Sequence, residues 1–322
     1  MRIPEELSAA IAKETRGIAP AELARASAEL SGAYRGQTKR RPALGRLHRC
    51  AYLVTRFPAT YVVVSRILRE AKLRVPDLRL VSMLDLGSGP GTTMWAAAAN
   101  FPELEQIVAV EDSAEWIALG RNLAAQAQSP AIRATDWVQA SVADSISIPP
   151  GTFDLVMISY VVNELGPTER VSLLESAWKR TGKLLVVAEP GTPAGFAHIR
   201  EIRHELLAAG AHIVAPCPHA LECPIKGDDW CHFAERLQRT SEHRLVKGGE
   251  LGYEDEKYSY VVFARQPIQL PTARILRHPR KHSGHVELKL CTPGGLQQVT
   301  VSRKQGDRYK AAKRTEWGET FE

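Results

Sequence analysis

A chain of 322 residues, 44% hydrophobic and 24% charged, can bury more than one modest core and has a globular composition. It holds no apolar run of about eighteen residues and starts with the acidic Met1-Arg2-Ile3-Pro4-Glu5-Glu6, so membrane insertion and secretion are not expected and a cytoplasmic location is. The net charge of +6 is uneven: from Gln266 to Glu322 eleven Lys and Arg face five Asp and Glu, which leaves the rest balanced and points to an anionic partner at that end.

Residues 1–75 read as a helical N-terminal domain. Pro20 suits the first turn of a helix, Leu23, Ala26, Leu30 and Tyr34 recur at helical spacing, and Gly32 and Gly36 help to end it. The basic linker Thr38-Lys39-Arg40-Arg41-Pro42 follows. Two more helices are predicted around 44–55 and 60–73, broken at Phe57-Pro58 because proline disfavours helix in the residue before it. Their Arg46, Arg49, Arg56, Arg66 and Arg69 could line a phosphate-facing side or a plain solvent face.

Residues 76–265 alternate strand and helix, which predicts an α/β domain with a parallel sheet covered on both faces. Strands are expected at 80–86, 106–110, 137–140, 153–159, 183–188, 212–215 and 258–264, the set of a class I, Rossmann-like methyltransferase sheet. The first runs into Asp85-Leu86-Gly87-Ser88-Gly89-Pro90-Gly91-Thr92. Glycines at Gly87 and Gly89 let the backbone turn sharply and admit a ligand to its N–H groups, and the next helix adds a positive N-terminus. A dinucleotide loop would need a third glycine at Thr92. The alternate spacing Gly87, Gly89, Gly91, with Asp85 two residues ahead, is that of S-adenosylmethionine-dependent methyltransferases.

Other candidates follow from the sheet. Glu111, at the end of the second strand, is placed to accept hydrogen bonds from ribose hydroxyls, with Asp112 as its competitor. Asp144, after the third strand, could accept the exocyclic amine of adenine or cap its own loop. Tyr160, Asn163 and Glu164 leave the carboxyl end of the fourth strand, where open α/β sheets bind ligands, although helix-start roles are equally open. That exit, Ser159-Tyr160-Val161-Val162-Asn163, lacks the D/N-P-P-Y signature of many base-amine methyltransferases and a Pro-Cys nucleophile, so no catalytic residue is assigned.

Between the sixth and seventh strands lies a long polar segment, 216–256, with three of the chain's five cysteines. An odd count argues against a disulfide framework. Cys217, Cys223 and Cys231 close short loops at little entropic cost, and thiolates suit zinc or an iron–sulfur cluster. A fourth thiol would be Cys291 or Cys50. Cys291 alternates away from Leu288 and Leu290, whereas Cys50 sits in a helical stretch and suits a buried packing role. His219 and His232 compete as ligands. The absence of paired C-x2-C knuckles leans toward iron–sulfur over zinc. The last segment, 266–322, is a basic β-rich region: Ala273–Leu276 and a hairpin of 285–291 with 296–301 predict a small antiparallel sheet or barrel fringed by Arg303, Lys304, Arg308, Lys310, Lys313 and Arg314.

The glycine turn, Glu189-Pro190-Gly191-Thr192-Pro193, Cys217-Pro218-His219, Cys223-Pro224, Trp230-Cys231-His232-Phe233 and Glu254-Asp255-Glu256-Lys257-Tyr258-Ser259-Tyr260 together resemble the Rsm-twenty-two (Rsm22) family of ribosomal small-subunit methyltransferase-like proteins, over roughly residues 45–300. The resemblance implies a class I methyltransferase fold that binds the small ribosomal subunit and its rRNA during assembly, and a [4Fe–4S] cluster on Cys217, Cys223, Cys231 and Cys291. It leaves catalysis open, because some relatives look like assembly factors without methyl transfer. Two functions are therefore expected to compete: an rRNA methyltransferase, and a non-catalytic assembly factor, monomeric when free. A zinc-containing methyltransferase of another substrate is the third.

Overall fold

The computed structural model describes residues 1–34, 45–144 and 146–322. The basic linker at 38–42 and Gly36 lie outside them. Three helices come first, α1 (Glu5–Glu14), α2 (Pro20–Tyr34) and α3 (Arg46–Arg74). Next follow β1 (Ser82–Leu86), α4 (Thr92–Asn100), β2 (Gln106–Glu111), α5 (Ala114–Ala124), α6 (Pro130–Arg133), β3 (Asp136–Gln139) and β4 (Phe153–Ser159). The domain continues with α7 (Pro167–Arg180), β5 (Thr181–Pro190), α8 (Pro193–Ala208), β6 (His212–Ala215), β7 (Phe233–Gln238), α9 (Ser241–Lys247) and β8 (Tyr253–Ala264). At the end stand β9 (Ala273–Ile275), β10 (Arg280–Lys281), β11 (His285–Thr292), β12 (Gly295–Ser302), α10 (Asp307–Arg314) and β13 (Thr320–Phe321).

The main sheet has the order β3-β2-β1-β4-β5-β8-β6. β8 runs antiparallel to both β5 and β6, while β1, β2, β3, β4 and β5 pair in parallel. This is the class I methyltransferase order. Alternate strand residues feed two cores: Met83, Ile107, Leu155 and Val186 pack with α1 to α6 on one face, and Leu84, Val108, Val156 and Leu185 pack with α7 and α8 on the other. The helices of residues 1–75 thus share a core with the sheet.

Two regions of this domain differ from the sequence expectation. The break at Phe57-Pro58 is absent, because α3 runs through it for 29 residues. An interior proline costs about 3 kcal/mol, but each fully buried Val, Leu or Phe returns roughly 1.5–3 kcal/mol, and Leu53, Phe57, Val62, Val63, Val64, Ile67 and Leu68 are all fully buried. The segment 216–256 also contains β7 and α9, and β7 pairs antiparallel with the start of β8, from Phe233↔Tyr258 to Gln238↔Tyr253.

The predicted hairpin is present, with β11 paired to β12 from His285↔Ser302 to Thr292↔Gly295. The other edge of β11 takes β10 and β9, and β13 adds to β9. Val286, Leu288, Leu290 and Val301 form the core of this small sheet with Tyr309 and Ala312 of α10.

Candidate functional site

The chain order reverses across the sheet between β1 and β4, and the loop leaving β1 opens at that switch point, where open α/β sheets bind ligands. Gly87, Gly89 and Gly91 all have positive φ, at 74°, 54° and 84°. A Cβ on Gly87 would lie 2.4 Å from Val161 Cγ2, whereas one on Gly89 would meet nothing within 4 Å. The turn is therefore closed under Val161 and open over Gly89. Helix α4 starts immediately after Gly91 without a side-chain cap, which leaves its first N–H groups for a ligand.

Asp85 is 1% exposed. One of its carboxylate oxygens accepts a short hydrogen bond from the Thr93 hydroxyl, and the other has no partner, like the buried hydroxyl of Thr92. Burial pushes the Asp85 carboxyl up to about 7, with the Thr93 bond opposing. Glu111 sits beside the turn: its Oε2 accepts from Gly89 N–H at 2.8 Å and its Oε1 from Ser113 N–H at 3.0 Å. Burial and neighbouring Asp112 push this carboxyl up, while those two N–H bonds pull it down. Asp144 is exposed and caps its own turn, accepting from Ile146 N–H at 3.1 Å and the Ser147 hydroxyl at 2.5 Å. The Ser147 bond holds its carboxyl below the usual range.

At the exit of β4, Tyr160 has φ 62°, a conformation L-residues avoid. Its hydroxyl is buried without a partner. Beneath it, fully buried Glu189 accepts from Val162 N–H at 3.2 Å and lies 3.7 Å from His198 Nδ1. Burial raises the Glu189 carboxyl and His198 opposes. Asn163 and Glu164 are exposed.

The second feature is a cavity lined by Cys217, Cys223, Cys231 and Cys291 together with His219. All four cysteines are free thiols. The Cys291 Sγ lies 3.5 Å from His219 Nε2, whereas His232 stacks on Trp230 with ring centroids 4.9 Å apart. Cys50 is elsewhere, buried in α3 with its thiol 3.7 Å from Glu14 O. Burial raises the Cys231 and Cys291 thiols, Cys291 to about 12, and the neighbouring cysteines raise both further. Buried thiols this close resist becoming thiolates together, and a bound cation removes that penalty.

Two buried arginines, which the sequence reading did not single out, fix the loop. Arg203 Nη2 donates to His219 O at 2.9 Å and Leu221 O at 2.6 Å. Arg274 donates to Pro216 O at 2.7 Å, to Gly318 O at 2.7 Å and to Glu70 Oε1 at 2.8 Å. It ties the cysteine loop, the C-terminal sheet and α3 together. The Ser259 hydroxyl donates to Cys231 O at 2.8 Å, and Trp230 Nε1 to Gly191 O at 3.0 Å. The loop thus rests on the end of β5 and the middle of β8.

The sheet order, its reversed strand and the glycine turn at its switch point define a class I methyltransferase-type protein. Residues 46–322 match the family described as mitochondrial small ribosomal subunit Rsm22, and the chain belongs to that family. It is 28% identical over 292 residues to the ribosome assembly protein METTL17, mitochondrial, of Homo sapiens, an alignment covering 83% of this chain and 61% of that protein. It is 26% identical over 324 residues to the Rsm22-cox11 tandem protein 2, mitochondrial, of Schizosaccharomyces pombe, covering 84% and 42%. The chain thus spans less than two thirds of the length of either relative. Among solved structures, magnesium protoporphyrin IX methyltransferase from Synechocystis PCC 6803 is similar with a TM-score of 0.42 and 11% identity, over 65% of this chain and 80% of that one.

The family description and both relatives are mitochondrial, which overturns the cytoplasmic location expected from the sequence. That expectation rested on hydropathy, which reports only on apolar spans and leaders. Among the described residues, no helix is long and apolar enough to cross a membrane.

Proposed function

We propose that this chain is an S-adenosylmethionine-binding, methyltransferase-like protein of small-ribosomal-subunit assembly, with a [4Fe–4S] cluster on Cys217, Cys223, Cys231 and Cys291. The observation that carries this reading is the convergence of four free thiols from two distant segments on one cavity, in a member of the Rsm22 family. Their spacing favours a group larger than a single ion. Four-thiolate zinc, with bonds of about 2.3 Å, draws its sulfurs to roughly 3.8 Å from one another. Among the described residues, no three of these donors lie within 4.8 Å of each other. When bound, the cluster would supply a delocalised charge that stabilises thiolates and a potential set by its surroundings. The rest is the work of the chain: Arg203 and Arg274 clamp the loop's backbone and bring positive charge to the sulfurs.

At the glycine turn, the open space over Gly89 and the uncapped N-terminus of α4 suit the anionic end of the ligand, and Glu111, once released from Gly89 N–H, suits its ribose hydroxyls. Asp85 holds Thr93, and so α4, against β1. Asp144 remains a proposal for the adenine amine, one that requires its capping bonds to open. Methyl transfer from a sulfonium needs chiefly alignment, and a base only where the acceptor must lose a proton. The basic C-terminal region, with Arg303, Lys304, Arg308, Lys310, Lys313 and Arg314 all exposed, suits rRNA phosphates.

A second reading, a non-catalytic assembly factor, is favoured by the β4 exit, where Val161 stands over Gly87 and the Tyr160 hydroxyl is buried. One experiment separates the two. Purified protein and labelled S-adenosylmethionine are incubated with small subunits from a strain lacking this gene, beside a Gly89→Arg control. The enzyme reading expects label in rRNA above the control. Labelled ligand retained by wild type but not by Gly89→Arg, with no transfer, leaves the assembly factor. No retention by either protein ends the S-adenosylmethionine proposal.

A further inference from the structure

The turn between β10 and β11 gathers three side chains with metal-binding chemistry, far along the chain from the cysteine loop. The ligand atoms of His282, His285 and Glu287 all lie within 4.8 Å of one another. The two imidazoles are stacked, with centroids 4.5 Å apart and planes 17° from parallel. His285 Nε2 lies 3.6 Å from Glu287 Oε1. His285 and Glu287 share a face of β11 because side chains alternate along a strand, and Val286 and Leu288 between and beyond them fill the sheet's core.

The backbone carrying these groups is held from three directions. His282 N–H donates to His285 O at 2.9 Å, and Arg303 N–H donates to Gly284 O at 3.0 Å. The Tyr309 hydroxyl of α10 donates to Ser283 O at 3.2 Å. A turn anchored by its own hairpin, by the end of β12 and by a packed helix presents its side chains with little ordering left to do. The only ion pairs competing for the cluster's carboxylate are the exposed contact of Arg280 at 3.7 Å and that of His285 itself, among the described residues. An exposed pair of that kind contributes little and yields readily to a bound ion. Lys281, beside Arg280 on β10, is engaged with Glu316 at 2.6 Å, and Lys289 of β11 with Asp229 at 2.8 Å.

We propose that His282, His285 and Glu287 form a second metal site for a borderline divalent ion, zinc foremost. Two imidazoles and one carboxylate are a recognised zinc donor set, and three protein ligands leave a fourth position open to solvent. The site is independent of the cysteine cavity, since neither set of residues lines the other.

The test is a zinc titration of the whole 322-residue chain, anaerobically prepared, by competition with a chromophoric chelator, comparing wild type, His282→Ala/His285→Ala and Glu287→Gln, with a variant lacking the four cysteines as a further reference. Zinc taken up by the cysteines is common to wild type and the two turn variants, so the difference isolates the turn. The double variant is expected to bind one zinc fewer per chain, and Glu287→Gln to bind that zinc at least about tenfold more weakly. All three should give the same circular dichroism, because the side chains are exposed or half-buried. Equal stoichiometry and affinity in wild type and the double variant would overturn the proposal. So would a wild type that takes up no zinc beyond that removed by replacing the four cysteines.

Discussion

Arg274 is the side chain on which most of the cysteine cavity's geometry converges, and it is 1% exposed. Burial alone would raise its partner Glu70, yet Arg274 and Arg74 outweigh that and hold the carboxyl below its ordinary range. Removing one partner of such a buried pair strands the other charge, so Arg274→Ala should lower stability by about 3–5 kcal/mol in urea denaturation. Replacing Glu70 and Arg274 together by Met should recover much of the loss. Asp85 gives a pH prediction. Its folded value of about 7 lies above its ordinary 3.8, so the folded state holds the proton more tightly. The stability this adds is complete below about pH 4 and lost as pH rises through 7. Asp85→Asn should flatten that decline and, at pH 8, be more stable than wild type by up to about 4 kcal/mol. The grouping of Cys217, Cys223 and Cys231 was readable from spacing because thiols are scarce, while Cys291 was named from strand alternation and the family resemblance. Arg203 and Arg274 were not, since a charged residue defaults to the surface and only the fold turns it inward.

At the scale of elements, the strands of the main sheet were readable because their apolar runs leave few alternatives between the helices that follow them. β7 escaped for the opposite reason. Only Phe233 and Leu237 of its six residues are fully buried, and Glu235, Arg236 and their cross-strand neighbours Glu256 and Asp255 read as a polar loop. α3 was divided at Pro58 because the local preference was visible and the burial of its whole length was not. The end of β5 couples these elements to the cysteine loop. A Cβ on Gly191 would lie 2.6 Å from Tyr258 N, and Gly191 O accepts the Trp230 indole N–H. Gly191→Ala should therefore cost about 1–3 kcal/mol by thermal denaturation. It should also lower the metal content of the purified protein, whereas Gly252→Ala, with open space around it and no left-handed backbone, should leave that content unchanged.

Across the whole molecule, the glycine turn and the cysteine loop both follow carboxyl ends of strands in the main sheet, the turn after β1 at the β1–β4 switch point and the loop after β6, where β8 and the C-terminal sheet complete its cavity. Arg274 joins the second site to the small sheet that carries the basic fringe, so a group bound by the cysteines would be coupled to the surface proposed to meet rRNA. Family membership was legible from the motifs, while location was not, because compartment is not encoded in the hydropathy that was read. The direct measurement is iron, acid-labile sulfide and zinc per chain after strictly anaerobic purification, on wild type and on Cys291→Ser and Cys50→Ser. Four iron and four sulfide per chain are expected in wild type and Cys50→Ser, with a large loss in Cys291→Ser. Stoichiometric zinc without iron, or equal iron in wild type and Cys291→Ser, would contradict the account.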